Sequence, residues 1–375
     1  MATSIALFLP TLRGGGAERV VLRLARELLD RGHQVAVVVA DARGPYRPLV
    51  PDDAEFVDLG VRFLPTSVVP MTRWLRRRRP DAVLSAINGA NVVALAARRL
   101  ARVHVPIVVT EHNTLSQWRT DRRSFQRRWA IPWLMRRLYP QADGVVAVSR
   151  ASARDLARFL GAPDDRVRAI ANPVVDDDLA EQARMPLPGP WEQRLTGGPL
   201  IVAVGRIVSQ KDPEMLVRAF AQVHARRPDA RLALVGEGDL RPAVERLRDR
   251  MGLEDALWLP GFQDNPYAWM ARADVVALSS RYEGLPTVLI EALACGARVV
   301  ATDCPGGSSE ILEDGRWGRL VEVGDEQAFA DSLLASIEEG RWRSPPTEAF
   351  ERYRPQHVVD EYLALLGPLL RTTAR

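Results

Sequence analysis

Two carboxylates stand in Glu-x7-Glu spacing, Glu283 and Glu291, within SSRYEGLPTVLIEALACGARVVATDCPGGSSEIL (279–312). A carboxylate is a poor phosphate ligand but a good acceptor for a sugar hydroxyl. Between them, Gly284 permits close backbone approach and Pro286 suits the first turn of a helix, so the N–H groups at the start of that helix are candidates to face a phosphate. A second stretch, VAVGRIVSQKDPEMLVRAFAQV (202–223), places Arg206 and Lys211 in a loop between an apolar run and a helix pattern that begins near Asp212-Pro213. A guanidinium fork and an ammonium point charge suit a diphosphate. Lys211 is the only lysine in a chain with 51 basic residues, where arginine has otherwise taken every cationic position. Hydroxyl acceptors on both sides of a diphosphate clamp match a nucleotide sugar end to end. The plainer alternative for each charge is a solvated loop residue or a salt-bridge partner, although Glu291 lies in the middle of the apolar run VLIEALA.

The first half offers Gly14-Gly15-Gly16 between an apolar run and a helix pattern, in LPTLRGGGAERVVLRLARELLDRG (9–32). Glycines there let the backbone approach a ligand and leave helix N–H groups open to an anion, or simply make a tight turn. The spaced GxGxxG fingerprint and the GxxxxGK[ST] phosphate loop are both absent. Glu111, His112 and Asn113 follow the apolar run PIVVT (106–110). The histidine is open to reading as a general base, a hydrogen-bond partner or a satisfied polar residue. RWLRRRRP (73–80) and QWRTDRRSFQRRWAIPWLMRRLYP (117–140) interleave arginine with aromatics. Arg76, Arg77, Trp118, Arg122, Arg123, Arg127, Arg128 and Trp129 are the candidates there for a surface that meets anionic lipid, against the alternative of a core-packed helix with a solvated basic face. No recognised motif supports nucleic-acid binding.

These groups need strand ends and helix starts to hold them, and the chain supplies both. Apolar runs at 4–10, 34–40, 82–87, 106–110, 144–149 and 166–171 alternate with helix patterns such as 17–31, where Val20, Val21, Leu24 and Leu28 share one face. The rhythm restarts at 199–205, 230–236, 274–279, 298–302 and 318–323. Strands apolar on both faces and separated by helices predict parallel sheets covered on both sides. The expectation is an α/β protein of two doubly wound, Rossmann-like parallel-sheet domains facing across a cleft. Residues 1–184 form the first domain, the Pro- and Gly-rich stretch 185–198 a linker, and 199–354 the second.

Composition sets the limits. The 375 residues suit two domains, and 47% hydrophobic with 26% charged residues fit a globular protein with a sizeable core. No apolar run approaches the ~18 residues of a membrane span. The N-terminal MATSIALFLP lacks a basic leader and reads as a first strand. Two cysteines, Cys295 and Cys304, exclude a disulfide scaffold and a zinc cluster and point to a reducing, cytoplasmic setting. The net charge of +4 conceals a basic first half and an acidic second half.

GGGAERV, EHN, NPV (172–174), GR…K (205–211), VGEGDLR (235–241), LPGF (259–262) and the EGLPTVLIEALACG stretch stand in one order from residue 5 to about 325. Together they closely resemble the retaining nucleotide-sugar glycosyltransferases of family 4, which have the GT-B fold. The resemblance implies that Arg206 and Lys211 clamp the donor diphosphate, Glu291 holds the ribose and Glu283 contacts the transferred sugar. It implies that His112 lies beside the reacting sugar, and that Gly15, Gly16, Phe262 and the backbone of Gly284, Leu285, Pro286 and Thr287 complete the donor site. It implies a C-terminal helix, roughly 357–370, that returns to the first domain. No family motif asks for metal at Asp176-Asp177-Asp178, so this D-x-D reads as a solvated turn, and neither metal nor cofactor is expected. The implied enzyme is a hexosyltransferase or N-acetylhexosaminyltransferase with a UDP-linked donor and a lipid-linked or other saccharide acceptor, peripheral on the inner face of the cell membrane. The rivals are a soluble small-molecule glycosyltransferase, a sugar-nucleotide epimerase, and a pseudo-glycosyltransferase that binds nucleotide or membrane without turnover.

Overall fold

The computed structural model describes residues 2–112, 114–115, 130–195 and 197–373, so Trp118, Arg122, Arg123, Arg127, Arg128 and Trp129 lie outside the described residues. The chain divides into two units, residues 1–173 with 354–375, and 174–353.

Unit 1 is built on seven parallel strands: β1 (Ser4–Thr11), β2 (Gln34–Asp41), β3 (Glu55–Asp58), β4 (Ala82–Ala86), β5 (Ile107–Glu111), β6 (Gly144–Ala147) and β7 (Arg168–Ala169). Their order is β3-β2-β1-β4-β5-β6-β7. Strand β1 is apolar on both faces and therefore feeds two cores. Ile5, Leu7 and Leu9 pack with Val21, Leu24 and Leu28 of helix Gly16–Asp30. Ala6 and Phe8 face the opposite way, toward Met71 and Leu75 of helix Val68–Arg78 and Ala90, Val93 and Ala94 of helix Asn88–Ala101. Helix Pro355–Thr373 covers the first of these faces with Val358, Val359, Tyr362 and Leu366. It is tied to the end of helix Gly16–Asp30 by Arg31, which pairs with Asp360 and donates to the Gln356 carbonyl at 2.7 Å.

Unit 2 repeats the plan with six parallel strands: β8 (Leu200–Val204), β9 (Arg231–Val235), β10 (Leu257–Gly261), β11 (Val275–Leu278), β12 (Arg298–Thr302) and β13 (Arg319–Val321). The order is β10-β9-β8-β11-β12-β13. Met215, Leu216 and Phe220 of helix Pro213–Arg226 and Phe329 and Leu333 of helix Glu326–Glu339 share one core with Ile201, Leu234, Ala277 and Val300 of the strands.

The winding reverses direction beside β1 in unit 1 and beside β8 in unit 2, and a crevice opens at the carboxyl ends of the strands at such a point. The loops that begin at Leu12 and Gly205 start there.

The stretch 185–198 belongs to unit 2, and the chain passes between the units at 173–174 and 353–354 instead. Its composition conceals an anchor. Trp191 packs on Trp258 and Trp269, with ring centroids 6.4 and 5.6 Å away, and Glu192 pairs with Arg272 at 2.8 Å. None of the described helices is long and apolar enough to cross a membrane.

Candidate functional site

Strands β8 and β11 are neighbours, so the loops leaving their carboxyl ends meet although 72 residues separate Lys211 from Glu283. Lys211 ends a single 3-10 turn, Ser209–Lys211, and its aliphatic stem folds over Gly205, whose added Cβ would stand 3.4 Å from Lys211 Cε. The ammonium donates to Glu283 Oε1 at 2.6 Å, and the Ser280 hydroxyl donates to the same oxygen at 2.6 Å. Glu283 is buried, so these charge-assisted bonds replace much of its hydration.

The two loops are also stitched together through backbone. Ser279 Oγ donates to the Lys211 carbonyl at 2.7 Å, Arg281 N to Gln210 O at 2.8 Å, and Gln210 Nε2 to Tyr282 O at 3.0 Å. Asp212 stands at φ +45°, a left-handed conformation that aspartate tolerates better than most residues, and Arg281 Nε holds its carboxylate at 2.7 Å. That contact raises the Arg281 pKa. A third loop closes in behind: Glu283 N donates to Pro305 O at 3.0 Å, and a Cβ on Gly306 would stand 2.2 Å from the Glu283 carbonyl oxygen. Arg206, in contrast, is exposed, and its guanidinium makes no hydrogen bond or ion pair among the described residues. Arg206 and Lys211 line one cavity of about 40 Å³ with Gly205, Pro213, Leu216, Leu278 and Ser279.

Helix Thr287–Ala294 begins one residue after Pro286, which occupies the cap position and not the first turn. Glu291 is buried in its second turn, ~6 Å along the axis from Thr287 at 1.5 Å per residue. Its charge adds to desolvation in pushing the Cys295 thiol up to about 12. Gly284, Leu285 and Pro286 lead into this helix from the Glu283 loop, with Leu285 buried. Phe262 follows β10 and is 58% exposed.

In unit 1 the loop after β1 runs through Gly14 at φ +98° into Gly15, the extended cap of helix Gly16–Asp30. A Cβ on Gly15 would stand 2.2 Å from Glu18 Oε2, so only glycine leaves this carboxylate its place. Gly16 meets open space. His112 follows β5, with Nε2 3.1 Å from Thr110 Oγ1. Burial pushes its imidazole down to about 4, so it is neutral at pH 7.

Other candidates have structural duties. Asp176 caps helix Asp177–Arg184 by accepting from Leu179 N at 3.0 Å, which accounts for the acidic run. Arg76 donates to the carbonyls of Leu100 at 2.8 Å and Ala101 at 3.2 Å, closing the end of helix Asn88–Ala101. Arg77 is exposed. Trp133 is 59% exposed with Arg137 over its ring. Ser280, Arg281 and Asp212 escaped the sequence reading because nothing in their spacing distinguishes them from loop residues.

Two family models match the chain: glycosyltransferase family 4 over residues 14–178, and glycosyl transferases group 1 over residues 198–339. The chain is similar to N-acetylgalactosamine-N,N'-diacetylbacillosaminyl-diphospho-undecaprenol 4-alpha-N-acetylgalactosaminyltransferase of Campylobacter jejuni, at 27% identity over 351 residues, 90% of this chain and 91% of that protein. The same organism's GalNAc-alpha-(1->4)-GalNAc-alpha-(1->3)-diNAcBac-PP-undecaprenol alpha-1,4-N-acetyl-D-galactosaminyltransferase is 24% identical over 381 residues, 97% of this chain and 98% of that protein. Among solved structures, Anabaena HepE in complex with UDP-glucose shares the fold, with a TM-score of 0.76 and 22% identity over 99% of both chains.

Proposed function

The chain belongs to the glycosyltransferases of family 4 and carries the two parallel-sheet α/β domains of the GT-B fold, and from that premise we propose that it is a retaining, metal-independent enzyme that transfers a hexosyl or N-acetylhexosaminyl group from a UDP-sugar to a lipid-linked saccharide in bacterial glycan assembly. The observation that carries the donor reading is the meeting of Lys211, Glu283 and the exposed Arg206 at the carboxyl ends of β8 and β11. Arg206 and Lys211 bind the diphosphate and stabilise the charge that develops as it leaves. Glu283 accepts from hydroxyls of the transferred sugar, Glu291 from the ribose, and Phe262 lies by the base. The backbone around Gly284, Leu285, Pro286 and Thr287 receives phosphate, with Gly15 and Gly16 giving the donor close backbone approach. His112, neutral at pH 7, presents an acceptor to a sugar hydroxyl.

In the reaction, the bond from the anomeric carbon to the diphosphate breaks, the acceptor oxygen bonds to the same face, and its proton passes to the departing phosphate. The lipid-linked acceptor is favoured by the undecaprenol-linked acceptors for which the two Campylobacter relatives are named. The work then lies on the cytoplasmic face of the membrane, with the Arg- and Trp-containing surface of unit 1 against anionic lipid.

The test is transfer from UDP-sugars to lipid-linked and soluble acceptors in the presence of chelator, with the anomeric configuration of the product read by NMR. Transfer with retention is expected. An inverted linkage, or strict dependence on added Mg²⁺ or Mn²⁺, overturns the mechanism; transfer only to a small soluble acceptor overturns the acceptor assignment. UDP at 100 times its Kd should stabilise the protein by about 2.7 kcal/mol, and a larger effect of GDP would reassign the nucleotide.

A further inference from the structure

Strand β5 ends on polar residues in an otherwise apolar sheet, and the environment of Glu111 is unusual. The residue is 2% exposed. Its Oε1 accepts from the Tyr139 hydroxyl and from Asn91 Nδ2 at 3.1 Å. Asn91 is fully buried and also donates to the Thr110 carbonyl at 2.9 Å. The same carbonyl accepts from Ile87 N at 3.2 Å. Ile87 stands at φ +77°, where a β-branched residue is held only by surrounding constraint. Two elements thus converge on the Thr110 carbonyl, the corner after β4 and helix Asn88–Ala101, while the turn Tyr139–Gln141 meets the neighbouring Glu111 side chain.

On the other side of β5 the Thr110 hydroxyl donates to the Ser85 carbonyl at 3.1 Å. A hydroxyl has one proton, and the carbonyl can only accept, so Thr110 Oγ1 accepts from His112 Nε2–H at 3.1 Å. This assigns His112 as the Nε2–H tautomer. Its Nδ1 is then a lone-pair acceptor, buried and without a hydrogen-bond partner in the structure described.

We propose that Glu111 is a positioning residue: with Asn91, Tyr139 and the strained Ile87 it fixes the Thr110 peptide, and through the Thr110 hydroxyl it sets the ring orientation and tautomer of His112. An apolar residue would fill the same space without the penalty of burying a carboxyl. Burial pushes the Glu111 carboxyl up to about 7, which is the measure of that penalty. The inference rests on the role proposed for His112, but its consequence is visible in the protein without substrate.

The experiment is ¹⁵N NMR of the full-length, histidine-labelled protein, with the His112 signals assigned by a His112→Gln variant. The wild type should show a fixed Nε2–H tautomer at pH 7. Glu111→Leu should release the ring into tautomer exchange, and Glu111→Gln, which keeps an acceptor oxygen, should restore it. With UDP-sugar as probe, Glu111→Leu should lower kcat by ~10-fold or more while the donor KM stays within ~2-fold, and Glu111→Gln should recover most of the loss. A folded Glu111→Leu variant with an unchanged tautomer and kcat overturns the proposal. If that variant does not fold, Tyr139→Phe removes one donor at nearly constant shape, and an unchanged tautomer there overturns it equally. Absence of sugar transfer with a tautomer that responds as described would instead fault the functional reading.

Discussion

Gly205 and Gly236 meet backbone to backbone: a Cβ built on Gly236 would stand 1.9 Å from the Gly205 carbonyl oxygen. Beyond the ends of β8 and β9 the two loops continue to pair, through Ile207 N to Glu237 O at 2.9 Å and Leu240 N to Ile207 O at 3.0 Å. A Cβ on Gly238 would likewise stand 2.2 Å from the Ile207 carbonyl oxygen. The glycines of VGEGDLR therefore allow the close packing of the loop that carries Arg206. Gly236→Ala should lower unfolding stability by ~2–3 kcal/mol through steric clash at φ +148°. Gly252→Ala, at φ +63° in open space, should lose only ~1 kcal/mol. Urea unfolding of both variants gives the comparison, and equal losses would contradict the close packing of the two loops.

Lys211→Ala should reduce kcat by ~10²-fold or more, on the scale of a lost transition-state donor. It also leaves the buried Glu283 carboxylate with one cationic donor fewer. Lys211→Arg should not restore activity, because the stem packs closely over Gly205 and a planar fork does not fit where a point charge stands. Steady-state kinetics at saturating UDP-sugar decide this, and near-normal kcat in Lys211→Ala would remove it from the donor clamp.

Glu111 should make stability depend on pH. Its carboxyl titrates near 7 in the folded chain and near the ordinary 4.5 when unfolded, with desolvation as the cause and Tyr139 and Asn91 as the groups that face it. The unfolded chain therefore gives up its proton first as pH rises. The contribution is whole below about 4.5, declines between about 4.5 and 7, and is lost above the upper value. Relative to Glu111→Gln, the wild type should lose up to ~3 kcal/mol across that window. Parallel unfolding curves at pH 5 and pH 8 measure the difference; a constant gap between the two proteins would show that Glu111 is ionised throughout.

A surface that meets anionic lipid should show two separable contributions. Neutralising Arg122, Arg123, Arg127 and Arg128 should weaken binding to anionic vesicles and flatten its dependence on salt, since salt screens attraction between charges over about 8–10 Å. Trp133→Ala, at an exposed ring, should weaken binding even in high salt. Vesicle sedimentation across ionic strengths tests both. A wild-type protein that ignores anionic vesicles at low salt would return the segment to an ordinary solvated face.

The parallel strands buried on both faces were legible because each is a short apolar run between helix patterns, as β1 and β2 show. The two strands missing from the sequence reading, Glu55–Asp58 and Leu257–Gly261, both lie at sheet edges. One is half exposed and ends in charges, and the other contains Pro260, which an edge tolerates. Glu283 and Lys211 were each visible as chemistry, but their direct contact was not, because it depends on β8 lying next to β11. Ser280 and Asn91 gave no signal, and Tyr139 stood out only as an aromatic of the Arg-rich stretch, since a polar residue reveals its partner only once the fold brings the two together. Trp191 was hidden for the opposite reason: its Pro- and Gly-rich surroundings have the composition of a linker, while two indole rings tilted against its own, Trp258 and Trp269, hold it in unit 2.

The helix Pro355–Thr373 closes a core whose other members all precede residue 174. During synthesis, the strands of unit 1 emerge first and must wait for the whole of unit 2 before Val358, Val359, Tyr362 and Leu366 arrive to cover Ile5, Leu7 and Val37. At ~5–20 residues per second, that interval leaves the part of this face not covered by helix Gly16–Asp30 open to water for ~10 s or more. Unit 2 is continuous in sequence and has no such delay. The order of completion therefore runs against the order of translation, with the later unit able to finish first and the earlier one dependent on a helix made after it.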